Sequence, residues 1–139
     1  MLLNLAIAVL LMMGTTVIHA GGMILTERGI RHHALQSKDR LRFPQLFWVC
    51  YVIQVMFLVA VLEVMVWAAA YVMLGAVDGF EKAAYFSMVT FTTLGYGEIV
   101  LDENWRLLAS CQAATGIIMF GWTTAIVIAA VQRAYFPGK

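Results

Sequence analysis

The stretch Thr92-Thr93-Leu94-Gly95-Tyr96-Gly97-Glu98 holds the most specific chemistry in the chain. Glycine adopts φ > 0 without the steric cost other residues meet, and here two glycines stand at alternate positions. A backbone alternating such conformations points successive carbonyl oxygens to one side. Copies of that segment around an axis would stack rings of oxygens able to replace the hydration shell of a bare cation.

The rest of the chain must place that segment inside a membrane. The 139 residues are 63% apolar and only 12% charged, against about 25% charged in an ordinary soluble domain. A disordered tail, a nucleic-acid binder and most soluble enzymes are excluded, and a net charge of +1 offers no footprint for a polyanion. Residues 1–26 and 107–132 contain no Asp, Glu, Lys or Arg, and 46–77 contain only Glu63. Each run exceeds the roughly 20 residues a helix needs to cross the hydrocarbon core. Three transmembrane helices follow, near 2–25, 44–74 and 105–133. Charges that follow the first run, and Ile18 near its end, argue against a cleaved signal peptide.

Five of the nine Lys and Arg residues, Arg28, Arg31, Lys38, Arg40 and Arg42, lie between the first two spans, and Arg133 and Lys139 close the chain. The positive-inside rule puts this linker and the C-terminus in the cytoplasm and the N-terminus outside. The connection between the last two spans is then external. Within it, residues 80–93 are too apolar for water yet too short to span, which describes a re-entrant helix. Asp78 followed by Glu81 fits a capping-box start.

Thr93-Leu94-Gly95-Tyr96-Gly97, after such a helix, before an acid and between two spans, resembles the T-x-G-Y-G filter of the potassium-channel pore family. The likeness covers roughly 44–133 and is greatest to the prokaryotic two-helix-plus-pore type, here with an extra N-terminal helix. It implies an all-α membrane protein assembled as a homotetramer in the lipid bilayer of a bacterial inner membrane. It divides the chain into an N-terminal helix (1–26), a basic linker (27–43), a pore domain (44–133) and a tail (134–139). The pore domain comprises an outer helix (44–75), pore helix (80–92), filter (93–97) and inner helix (105–133).

The resemblance further implies that K⁺ is coordinated by the carbonyls of Thr93, Leu94, Gly95 and Tyr96 and the Thr93 hydroxyl, with Gly97 and Glu98 at the outer mouth. Leu94 replaces the usual Val or Ile, and Glu98 the usual Asp. Val89 stands where some members carry a buried acid, so that coupling to the filter acid is absent. Tyr85 and Phe86 are expected to pack at membrane depth. Ile117, Phe120, Thr124 and Ile128 would line a cavity, as their spacing of three and four puts them on one helical face. Gly116 falls at the position of a gating hinge, although close helix packing explains a glycine there equally well.

Glu63 is an intramembrane acid and so a functional candidate. Matched by depth along the helices, it is expected to bond Gln112, Thr115, Ser87 or Thr90, as structural glue or as a proton sensor. His19 stands in the first span, and His32 and His33 are adjacent, which keeps them off one helical face and argues against a metal site. Cys50 and Cys111 are expected as free thiols. The first span is expected to pack outside the pore. No catalytic constellation, voltage-sensing Arg repeat or cofactor motif is present, and gating is left to the pore, the first span, the linker, lipid or a regulatory partner. A less selective cation channel and a non-conducting adaptor with a pore-like fold are the competing functions.

Overall fold

A computed structural model describes residues 2–34 and 42–135. Its four helices are α1 (Leu2–Ala34), α2 (Arg42–Met73), α3 (Phe80–Phe91) and α4 (Arg106–Tyr135). Of these, α1, α2 and α4 are long and apolar enough to cross a membrane. Lys38, Arg40 and Lys139 lie outside the described residues.

Helix ends follow local chemistry. Pro44 sits in the first turn of α2, where the backbone N–H groups have no intrahelical partner to lose. Gly75 ends the same helix with φ 67°. Its N–H donates to the Val72 carbonyl and that of Ala76 to the Tyr71 carbonyl, the paired bonds of a Schellman cap. The expected capping box at Asp78 does not form. The N-cap is Gly79, with φ 85° and no side-chain bond, so Asp78 stands one position too early. Glu81 does lie in the first turn of α3, where the helix dipole favours a carboxylate.

α1 continues eight residues beyond the 1–26 assigned from charge. Arg28 and Arg31 are therefore helical rather than part of a loop. Two contacts support the extension. Gly29 lies against the Tyr51 ring, so that a Cβ there would meet Tyr51 Cε1 at 3.1 Å. Glu27 pairs with Arg133 Nη1 at 3.3 Å.

Three links fix how α1 runs. Asn4 donates to the Asn104 carbonyl, His19 meets Thr123, and Glu27 meets Arg133. α1 is thus parallel to α4, and it touches α2 and α4 but not α3. One core joins Trp67, Tyr71, Ala83, Phe86, Phe91, Leu108 and Met119, with Ala8 of α1 at its edge. A second, toward the α2 N-terminus and the α4 C-terminus, gathers Val52, Met56, Val59 and Ala130.

Candidate functional site

α3 is a short helix wedged between α2 and α4. Its last residue, Phe91, meets Gly116 and Phe120 of α4. Gly116 is ten residues past Arg106, so α3 ends about 15 Å along α4, a third of the length of that 30-residue helix. The chain then turns back. Thr92 closes α3 through its hydroxyl, 2.8 Å from the Met88 carbonyl. By Glu98 the chain has returned to the level of Tyr85, whose hydroxyl donates to Glu98 Oε2 at 2.7 Å. That bond raises the Tyr85 pKa above the ordinary phenol value.

The returning segment has alternating handedness. Thr93, Gly95 and Gly97 have φ of 59°, 55° and 82°, while Leu94 and Tyr96 between them do not enter the positive region. Thr93 is the single non-glycine residue there among the described residues. A β-branched side chain in that region stores roughly 1–3 kcal/mol of strain. The amides of the turn are tied down: Thr93 N–H donates to the Thr90 carbonyl, and both Leu94 and Gly95 donate to that of Val89. The carbonyls of residues 93–97 accept no backbone bond among the described residues. Donors face the end of α3, and acceptors are left unspent. All of residues 92–98 are exposed, including the large side chains of Leu94 and Tyr96.

A buried polar network fixes this wedge. Ser87 Oγ donates to the Val64 carbonyl at 2.7 Å. Gln112 Nε2 donates to Ser87 Oγ at 2.7 Å, and Gln112 Oε1 accepts from the Tyr71 hydroxyl at 2.8 Å. Ser87, Gln112 and Tyr71 are fully buried, one on each of α3, α4 and α2. The sequence marked Ser87 and Gln112 as possible partners of Glu63 and missed their bond to each other. Gln112→Leu leaves the Tyr71 hydroxyl buried without a partner, and such a loss costs about 1–3 kcal/mol. Detergent-purified protein carrying Gln112→Leu should melt several degrees lower than wild type; an unchanged melting temperature would mean the network does not hold α3.

Ile117, Phe120, Thr124 and Ile128 share one exposed face of α4. Gly116 is buried against α3: a Cβ there would stand 1.9 Å from the Phe91 carbonyl oxygen. The packing role of this glycine is thereby accounted for. Gly121 has open space where a Cβ would go.

Tyr85 departs from its expectation, because it holds Glu98 rather than only packing. The expected partners of Glu63 are also corrected. Its carboxylate Oε1 lies 2.9 Å from His19 Nδ1 on α1, with both side chains wholly buried. His19 Nε2 is 3.4 Å from Thr123 Oγ1, and its ring stacks at 4.9 Å on Trp122. Depth matching pointed to α4 because it compared α2 only with pore-domain helices. The available signal was simpler: each of the first two spans holds one ionisable side chain of the kind that needs a partner in a membrane. Among the described residues no cluster suits a metal ion, and the His32 and His33 side chains lie outside them. Cys50 and Cys111 are free thiols.

Residues 59–133 match a protein family described as ion channel. The chain belongs to that family. The matched stretch takes in the second half of α2, all of α3, the returning segment and nearly all of α4, and leaves α1 outside. The potassium-channel pore resemblance read from the sequence is borne out at the level of family. Among curated proteins and solved structures nothing matches.

Proposed function

We propose that this ion channel is K⁺-selective and works as a homotetramer. The observation that carries the reading is the alternating φ of residues 93–97 combined with carbonyls that accept no backbone bond. Four such segments about one axis would present rings of oxygens from Thr93, Leu94, Gly95 and Tyr96, with the Thr93 hydroxyl as the innermost ligand. K⁺ would shed water on entry, and ions would pass in single file, each displacing the next. The bare side chains of Leu94 and Tyr96 support assembly, because each needs a neighbour to cover it.

The remaining parts follow from where they sit. In this reading α3 and the returning segment form the re-entrant loop. The C-terminal end of α3 aims its negative dipole at a cavity walled by Ile117, Phe120, Thr124 and Ile128, stabilising a cation at mid-membrane. Glu98, held by Tyr85, gathers cations at the mouth. The basic linker and the C-terminus face the cytoplasm, and a bacterial inner membrane is the host. No step is covalent, and no cofactor beyond the transported ion is invoked.

The test is flux. Purified protein in liposomes should pass K⁺ at least a hundredfold faster than Na⁺. Comparable rates for the two ions would establish a non-selective cation channel. Verified tetramers that pass neither ion at any pH would favour the adaptor reading.

A further inference from the structure

The His19–Glu63 pair is a costly arrangement. Two ionisable side chains are wholly removed from solvent within membrane-spanning helices. Glu63 Oε2 has no hydrogen-bond partner, and neither has Trp67 Nε1 one turn along α2. Burial of an incompletely satisfied carboxylate is unfavourable by several kcal/mol in general, so a structural tie between α1 and α2 would be better made by apolar packing. Such packing already exists, with Gly22 seated on Val59.

The groups around the pair are few. From α2 His19 meets Glu63, and from α4 it meets Thr123 and Trp122. The other charged side chains described on these helices stand near their ends, as Glu27 and Arg28 on α1, and Arg106 and Arg133 on α4. Among the described residues, neither His19 nor Glu63 therefore has a neighbouring charge except the other.

We propose that His19, Glu63 and Thr123 form a buried proton-binding site through which pH sets how firmly α1 holds α4. The proposal rests on the family assignment for its consequence, a change in conduction, but not on K⁺ selectivity. The proton count is definite. With two protons the pair is neutral overall, as imidazolium with carboxylate or as imidazole with carboxylic acid. From imidazolium with carboxylate, a third proton has one open place, Glu63 Oε2, and leaves a net positive charge out of water. It also turns Oε1 into a carbonyl acceptor, which weakens the bond from His19 Nδ1–H relative to a charge-assisted one. Thr123 carries the change to α4, because its hydroxyl accepts from Nε2–H of the same imidazolium ring, and a ring that loses its hold on Glu63 shifts against it. Acidification loosens α1 from α2 and α4 together. The helix so released carries Phe120 and Thr124 on its exposed face, immediately beside Trp122 and Thr123.

Three readouts test this on the full chain in liposomes or detergent, titrated between about pH 4 and 9. Infrared difference spectra should show a carboxylic-acid C=O band that grows as pH falls and is missing in Glu63→Gln. The melting temperature should fall across the same pH interval in wild type and stay level in Glu63→Gln. Cation flux should change at least tenfold with the same midpoint, and Thr123→Val should uncouple flux from the infrared band while leaving the band in place. A pH-dependent flux identical in wild type and Glu63→Gln overturns the proposal. So does a carboxyl band that does not titrate in that interval. A chain that conducts at no pH refutes the conduction reading alone, and the site is then judged by the band and the melting temperature, where level wild-type curves overturn it. If Glu63→Gln fails to fold, His19→Asn replaces it for the melting temperature and flux, which should lose their shared pH dependence, while the carboxyl band remains.

Discussion

Gly95→Ala should abolish K⁺ flux, by far more than tenfold, while the protein still assembles. Gly95 has φ 55°, and a Cβ there would meet no atom within 4 Å. The defect is therefore conformational and not a matter of space within the chain. The left-handed region costs an L-residue roughly 1–2 kcal/mol, so the proposed ring of four would lose about 4–8 kcal/mol. A chain relieved of that cost by rotating to negative φ turns one carbonyl away from the axis and breaks a ring of ligands. D-alanine at the same position, introduced by semisynthesis, prefers positive φ and should restore flux. If L-alanine is tolerated, or if the D-residue fails equally, the alternating backbone is not the conducting element.

The second large effect is expected at Gly116. A methyl group there would stand 1.9 Å from the Phe91 carbonyl oxygen and 2.9 Å from its carbon. Both are backbone atoms, so no side-chain rotation relieves the clash. The end of α3 must withdraw from α4 by more than an ångström, carrying with it the Thr90 and Val89 carbonyls that hold the amides of Thr93, Leu94 and Gly95. Overpacking of this kind costs typically 1–3 kcal/mol and more where the backbone must move. Gly116→Ala should lower the melting temperature and reduce flux more than tenfold. Gly121→Ala, which meets nothing within 4 Å, is the control and should leave the melting temperature of the chain unchanged. Equal behaviour of the two variants would remove the α3–α4 contact from the account of the site.

The spans were legible because lipid forbids charge along their length, and that constraint is one-dimensional. α3 and α4 begin and end within two residues of the positions read from the sequence. The Gly95 and Gly97 conformations were legible for a local reason, since few residue types enter that region of φ. Thr93 was not, because nothing in its side chain announces a positive φ. Its conformation comes from the three amides tied to Val89 and Thr90. Pairings across helices were missed for a different reason. His19 and Glu63 are 44 residues apart, and depth along a helix leaves the angle around it undetermined. The same loss of angular information hid the Tyr71–Gln112–Ser87 network. The α3 start shows how sharp local chemistry is: a carboxylate one residue early is no cap.

The order in which the helices are made gives the buried His19–Glu63 contact another significance. α1 and α2 leave the ribosome before α3 and α4, and a lone ionisable residue at mid-span raises the cost of leaving the translocon, by about 2.5–3.5 kcal/mol for Asp, Lys or Arg. His19 and Glu63 lie on these two helices, which run in opposite directions side by side. They can therefore enter the bilayer as a hairpin with each polar group already satisfying the other. The membrane then receives a closed two-helix unit, and the rest of the fold is completed against it when α4 emerges and brings Thr123 and Arg133 to sites that α1 already displays.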